Sequence, residues 1–310
     1  MARVTVIGAG IVGLTTAVTL RERGHAVRIV AEQTGERTTS SKAGAIWFPF
    51  KADPPDRVNR WARASRDWLT ELVEEGPAGV DLVRLFECAD TPERPWWADA
   101  APDLELIDSP TAAAAYCWTL LAPRVVPLSL LTFLEGWHGD SIERRRVTDL
   151  RDELTHTDFV VNCTGLGAKP LTGDRSLYAV YGQTVIVQPG SIDLSSSIED
   201  DRAISRLFYA IPRRDCIVLG GVALEVADDH PLIPDPAIAA DVLARCARYG
   251  LAPGTVLRHS CGLRPCRAAG VRCEPDPENS RIIHNYGHGG AGFTLAAGCA
   301  QDVAGLIPAT

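Results

Sequence analysis

The chain has 310 residues, 46% of them hydrophobic, and a formal net charge of −8. That length and apolar fraction suit two domains or one large α/β unit with a sizeable core. The negative balance argues against a nucleic-acid or anionic-membrane partner, though not against a small anion held by a few placed arginines. Nine cysteines without a C-x-x-C pair argue against a zinc site, so no metal is expected. Most read as reduced, buried thiols, with room for one long-range pair. The first apolar stretch is broken by glycines, and no run reaches the length of a membrane span. The C-terminus is not a peroxisomal tripeptide, so the cytoplasm is the expected compartment.

Residues 4–7 form a short β-branched run, followed by Gly8, Gly10 and Gly13 and then a helix-forming stretch to about Arg23, stopped by Gly24. A second apolar run, 26–31, delivers Glu32 nineteen residues past Gly13. Strand, G-x-G-x-x-G, helix, strand and acid in this order make a dinucleotide-binding fingerprint: a tight turn at Gly8, close backbone approach at Gly10, helix-on-strand packing at Gly13, and free helix N–H groups toward phosphate. Thr38, Thr39, Ser40 and Ser41 lie in a polar loop that could reach phosphate or ribose, or serve as an ordinary turn.

The spacing of Trp61, Trp68, Leu69 and Leu72 predicts an amphipathic helix to Glu75. Residues 84–108 read as strand and loop, and 128–138 as a helix. A buried strand at 158–163 ends in Thr164-Gly165. Stretches 178–187, 206–212 and 216–224 suggest a sheet. Residues 236–249 read as a helix with Asp235 as N-cap and Pro236 at its first position. Residues 255–263 are extended, and 281–284 form a last strand. Gly289, Gly290 and Gly292 then open a helix from Phe293 to Leu306, a second strand-to-helix glycine turn able to meet an anion or dipole.

Four blocks carry a resemblance to the D-amino-acid oxidase family that covers nearly the whole chain. They are residues 6–14; Val161 to Gly165 with Gly182-Gln183; Tyr-Ala-Ile-Pro at 209–212 with Val-Leu-Gly-Gly at 218–221; and Gly-Leu-Arg-Pro at 262–265 with His-Asn-Tyr-Gly-His-Gly-Gly at 284–290 and Gly-Phe-Thr at 292–294. The resemblance implies an α/β fold: a Rossmann-type FAD domain (1–50, 138–176, 265–310) plus a substrate domain on a mixed β-sheet (51–137, 177–264). It implies non-covalent FAD and oxidative deamination, in which the α-hydrogen of a D-amino acid leaves as hydride to flavin N5. The imino acid hydrolyses to a 2-oxo acid and ammonia, and dioxygen becomes hydrogen peroxide.

By the same resemblance Arg264 and Tyr209 bind the substrate carboxylate, a role that suits a planar guanidinium. The carbonyl of Gly290 accepts from the amine. Ala9, Gly10, Ile11 and Val12 meet the pyrophosphate, Glu32 the ribose, and Val147 the adenine. Thr38, Thr39, Ser40, Gly44, Ala45 and Ile46 lie further along the cofactor. Gly289, Gly290, Gly292, Phe293 and Thr294 are placed at the flavin. No protein base is required, so neither His284 nor His288 is assigned catalysis.

A lid tyrosine of the animal enzymes falls at Ser205, and Phe48 and Phe50 make the expected pocket more apolar. Neutral, hydrophobic D-amino acids are therefore the expected substrates. Arg202 or Arg206, if either reaches in from the lid, would favour D-aspartate or D-glutamate instead. Glycine or sarcosine oxidases share the fold, and an FAD-binding amino-acid sensor would keep Gly10 and Glu32. An NAD-dependent dehydrogenase explains only the first glycine turn. A homodimer is possible in such a family.

Overall fold

The computed structural model describes residues 1–76, 78–137, 142–203 and 207–308. Ser205 and Arg206, the end of the helix expected near His138, and the last two residues lie outside these. In chain order the elements are β1 (Arg3–Ile7), α1 (Ile11–Glu22), β2 (Ala26–Ala31), α2 (Pro55–Glu75), β3 (Val80–Ala89), β4 (Glu105–Asp108), β5 (Tyr116–Val125) and α3 (Pro127–Gly136). There follow β6 (Glu143–Arg144), α4 (Leu150–Glu153), β7 (Phe159–Asn162), α5 (Ala168–Thr172), β8 (Leu177–Val187), β9 (Ser196–Asp200), β10 (Phe208–Pro212), β11 (Ile217–Gly220) and β12 (Leu224–Val226). The last are α6 (Pro236–Cys246), β13 (Val256–Arg267), β14 (Arg272–Pro275), β15 (Ile282–Tyr286) and α7 (Gly292–Leu306).

Among the described residues the strands form two sheets. The first runs β14-β15-β7-β1-β2-β6 and is parallel except for β14. Its central strands are apolar because helices cover them. The second, of nine strands, runs β12-β8-β11-β10-β9-β3-β5-β4, with β13 also on β8. It is antiparallel apart from the parallel pair β3–β9, and is therefore mixed.

The sequence reading left β5, β9 and β14 unassigned and ran β11 into β12, and two of its boundaries move at prolines. Helix α2 begins six residues earlier than Trp61, at Pro55, because a proline fits the first helical turn, where its missing N–H has no partner to lose. Strand β13 continues past Leu263 through Pro265 to Arg267. Its strand partner is β8; on the other edge the Pro265 carbonyl accepts Gly289 N–H at 2.9 Å, a contact that needs no N–H from the proline. Asp235 caps α6 as expected, accepting from Ala237 N–H at 2.7 Å.

Helices α2 and α3 pack against α7 and α1, on the side of the first sheet. The α2–α7 contact is close: Gly298 N–H donates to Ser65 Oγ at 3.0 Å, and Trp61 Nε1 donates to Asp302. The main apolar core gathers Val4, Val6, Leu14, Leu69, Leu130 and Leu295 between these layers. All nine thiols are free. No helix among the described residues is long and apolar enough to cross a membrane.

Candidate active site

A cavity of about 600 Å³ runs from the carboxyl ends of β1, β2 and β7 to the face of the second sheet. At its first end the glycines act as their spacing predicts. Gly8 has φ +112°, and a Cβ on Gly13 would sit 2.0 Å from the Gly8 carbonyl, so α1 can lie against β1 only without a side chain there. Ala9, Gly10, Ile11, Val12, Glu32, Thr38, Thr39 and Ser40 all line this end. Ser40 Oγ accepts the Ile11 N–H at 3.0 Å, which fixes the loop over the helix start. The Thr38 hydroxyl is committed to its own turn, donating to Gly35 O at 2.8 Å. The N–H groups of Val12 and Gly13 have no intrahelical acceptor, as in any first turn. Val147 lines the same end.

Gly44, Ala45, Ile46, Gly289, Gly290, Gly292 and Phe293 line the middle of the cavity. There α7 begins, its first N–H groups again without helical acceptors. Thr294 is different. Its hydroxyl accepts from Phe48 N–H and donates to Phe48 O, at 3.2 and 3.0 Å, so the side chain staples α7 to the 48–50 segment and does not line the cavity.

At the far end Arg264 and Tyr209 converge. Arg264 lies on β13 with its guanidinium over Gly182 of β8; a Cβ there would come within 2.5 Å of Cζ. Nη1 donates to Val222 O at 2.7 Å, leaving most of the fork toward the cavity. The Tyr209 ring lies over its cross-strand partner Gly220, where a Cβ would come within 2.0 Å of it. Burial pushes the Tyr209 hydroxyl above its ordinary range, and the nearby Arg264 charge opposes that. Phe48, Phe50 and Ile211 supply apolar wall.

The two histidines separate in role. His284 is spanned between Asn162 and Asp276, at 3.4 and 3.0 Å. His288 lines the cavity; burial alone lowers it to about 4, and its Nε2 has no partner among the described residues. Arg202 does not point into the cavity. It makes a two-pronged pair with Asp200 at 2.9 and 2.7 Å, bonds Asp90, and donates to Ala113 O. The alternative in which it reaches an acidic substrate therefore loses Arg202 to these partners. Arg206 lies outside the described residues.

Residues 3–306 match the family DAO: FAD dependent oxidoreductase. The chain belongs to that family. It is 39% identical to a D-amino-acid oxidase of Streptomyces coelicolor over 98% of this chain and 96% of that protein. It is 36% identical to a D-amino-acid oxidase of Rubrobacter xylanophilus over 100% and 97%. Among solved structures, the glycine oxidase of Bacillus cereus superposes with a TM-score of 0.78 at 20% identity, covering 99% of this chain and 94% of that one. At that identity the likeness speaks for the fold alone.

The cofactor of this DAO-family chain is FAD, and the cavity suits it. Two helix N-termini open on one elongated space, and two buried polar atoms without partners among the described residues, His288 Nε2 and Asn285 Oδ1, belong to residues in its wall. The wall also contains residues that the sequence reading did not single out. Arg145, Arg146 and Thr148 flank Val147, and Gly165, Leu166 and Gly167 follow the Thr164 turn. The Thr-Gly dipeptide after β7 was the available signal for the second group.

Glu199 was also missed. It lines the substrate end on β9, 8% exposed, with no hydrogen-bond or ion-pair partner among the described residues. Burial, then Asp201, Glu87 and Asp200, push its carboxyl well above the ordinary range.

Proposed function

We propose that the chain is an FAD-dependent D-amino-acid oxidase that converts D-amino acids to 2-oxo acids and ammonia and passes the electrons to dioxygen, giving hydrogen peroxide. The observation that carries this reading is the convergence of Arg264 and Tyr209 on one cavity with Gly290 and the start of α7. The relatives' names point the same way.

When bound, FAD supplies the hydride acceptor that the protein itself lacks. Ala9 to Val12, Ser40, Glu32 and Val147 would hold its nucleotide half, and Gly44 to Ile46, Gly289, Gly292 and Phe293 its ring. The Arg264 guanidinium anchors the substrate carboxylate by charge-assisted hydrogen bonds, with the Tyr209 hydroxyl as a further donor. The carbonyl of Gly290 accepts from the amine. Together these hold the Cα–H in one orientation, which is where such a site gains most of its rate. The free amine needs no protein base, and the flanking histidines fit that: His284 is bonded on both sides, and His288 is held neutral.

Phe48, Phe50 and Ile211 support an aliphatic stem on the substrate. With Arg202 tied to Asp200 and Glu199 in the wall, an anionic side chain is disfavoured. The test is anaerobic mixing of the holoenzyme with paired D- and L-amino acids. Bleaching of the flavin by D- but not L-isomers is expected, and a flavin that no D-amino acid bleaches would leave an amino-acid sensor as the better reading.

A further inference from the structure

Glu199 is paired in register with Tyr209 on one side and with Glu87 of β3 on the other. Residues opposite one another in register project from the same face. Asp201, two residues on, follows the same alternation and also lines the cavity. Three carboxyl groups thus share one face beyond Tyr209. Among the described residues Trp97 Nε1 donates to Glu87 Oε1 at 3.4 Å, Glu87 Oε2 is buried without a partner, and Glu199 has no donor.

The nearby cations do not neutralise Glu199. Arg202 is on the opposite face with Asp200 and Tyr249. Arg264 lies on the other side of Tyr209, over Gly182, and makes no ion pair with Glu199. Lys51 acts on Asp201 from the cavity rim and makes no ion pair with Glu199. Among the described residues nothing gives this buried carboxyl a counterion; burial favours its neutral form, and a cationic ligand would favour its ionised one.

The dimensions suit a long side chain. The Tyr209 ring lies over β11, and Glu199 is on β9, two strands away, roughly 10 Å at the usual strand spacing. From Cα, four methylenes carry an ammonium outward by roughly 6 Å at standard bond lengths. A carboxylate held by Arg264 and Tyr209 therefore directs such a chain past Phe48 and Phe50 toward Glu199.

We propose that Glu199, flanked by Asp201 and backed by Glu87, is a specificity-determining cation subsite that selects D-amino acids ending in an ammonium or guanidinium on an aliphatic stem. This rests on the oxidase reading above and names the substrate class of the same site.

The test is the second-order rate of anaerobic flavin reduction by D-lysine, by D-norleucine (the same stem without the ammonium) and by D-glutamate, in the wild-type holoenzyme and in Glu199→Gln. D-lysine is expected at least tenfold ahead of D-norleucine in the wild type, with D-glutamate last. In Glu199→Gln the D-lysine to D-norleucine ratio should fall tenfold or more, chiefly through KM. If Glu199→Gln does not retain flavin, Asp201→Asn serves, with a smaller fall in the same ratio. A wild type that favours D-norleucine, or a ratio that survives the substitution, overturns the subsite while leaving the oxidase intact. No bleaching by any D-amino acid overturns the oxidase reading and takes the subsite with it.

Discussion

Arg264 owes its position to a residue without a side chain. Gly182 provides the bare backbone over which the guanidinium lies, and Gly220 does the same for Tyr209. Under the oxidase reading, Arg264→Ala should keep the yellow holoenzyme yet lower kcat/KM by two or more orders of magnitude. Charge-assisted bonds of this kind are worth about 1.5–3 kcal/mol each, and the fork makes more than one. Gly182→Ala should reproduce part of that loss by lifting the guanidinium, since a Cβ at 2.5 Å forces a shift. Steady-state kinetics with flavin content measured in parallel decides it, and full activity in Gly182→Ala would place the catalytic fork elsewhere. Arg264, Tyr209 and the glycines were legible in sequence because they sit in unusual, ordered motifs. Glu199 was not, since an acid among Ser196, Asp200 and Asp201 looks like a solvated loop until the sheet register turns it inward. Arg202 stayed an open alternative for the opposite reason: its charge was visible in sequence, but its partners, Asp200 and Asp90, were not.

At the scale of elements, local signals located most helices and many strands, while β5, β9 and β14 went unread and two ends moved at Pro55 and Pro265. What the sequence could not supply was which side chain ties one element to another. Gln183, fully buried in β8, is such a tie. Its Nε2 donates to Asp235 O at 2.9 Å, and its Oε1 accepts from Asp235 N–H at 2.7 Å and from Tyr181 Oη at 2.8 Å. The amide thus fixes the start of α6 on the sheet, while the Asp235 carboxylate caps the helix itself. Gln183→Leu would leave the Asp235 N–H without its acceptor and put an apolar group against the Asp235 carbonyl and the Tyr181 hydroxyl, which keep Ala239 N–H and Ile233 O as partners, at about 1–3 kcal/mol. Asp235→Ala should cost only about 1 kcal/mol, because the cap alone is lost. Urea unfolding of the two variants should rank them in that order; equal losses would mean that the amide clamp adds nothing beyond the cap.

For the whole molecule, burial of titratable groups around the cavity makes stability depend on pH with two opposing signs. His288 titrates at about 4 in the fold, against 6.5 for the free side chain. The unfolded chain therefore binds the proton more readily between these values. The contribution of His288 is fully present above pH 6.5 and is lost as pH falls toward 4. At pH 5 about 2 kcal/mol of it is gone relative to pH 7.5. Glu87 and Glu199 behave in the reverse sense. Their folded carboxyls titrate above the unfolded value, so their contribution is present at low pH and is lost as pH rises through the folded range. Asp276, whose carboxyl burial alone would raise, is held below its ordinary range by the His284 hydrogen bond, so its contribution is present from pH 7.5 to 5 and is lost only at lower pH, as the carboxylate protonates. In the holoenzyme at saturating FAD, His288→Asn should therefore shift the change in urea resistance between pH 7.5 and 5 by about 2 kcal/mol in favour of pH 5, on top of whatever slope Glu87 and Glu199 set in both proteins. The comparison between variant and wild type isolates His288 from His284 and His25, which burial also lowers. Parallel slopes would show that the imidazole in the cavity wall takes up its proton without strain, and that the site is wetter than its packing indicates.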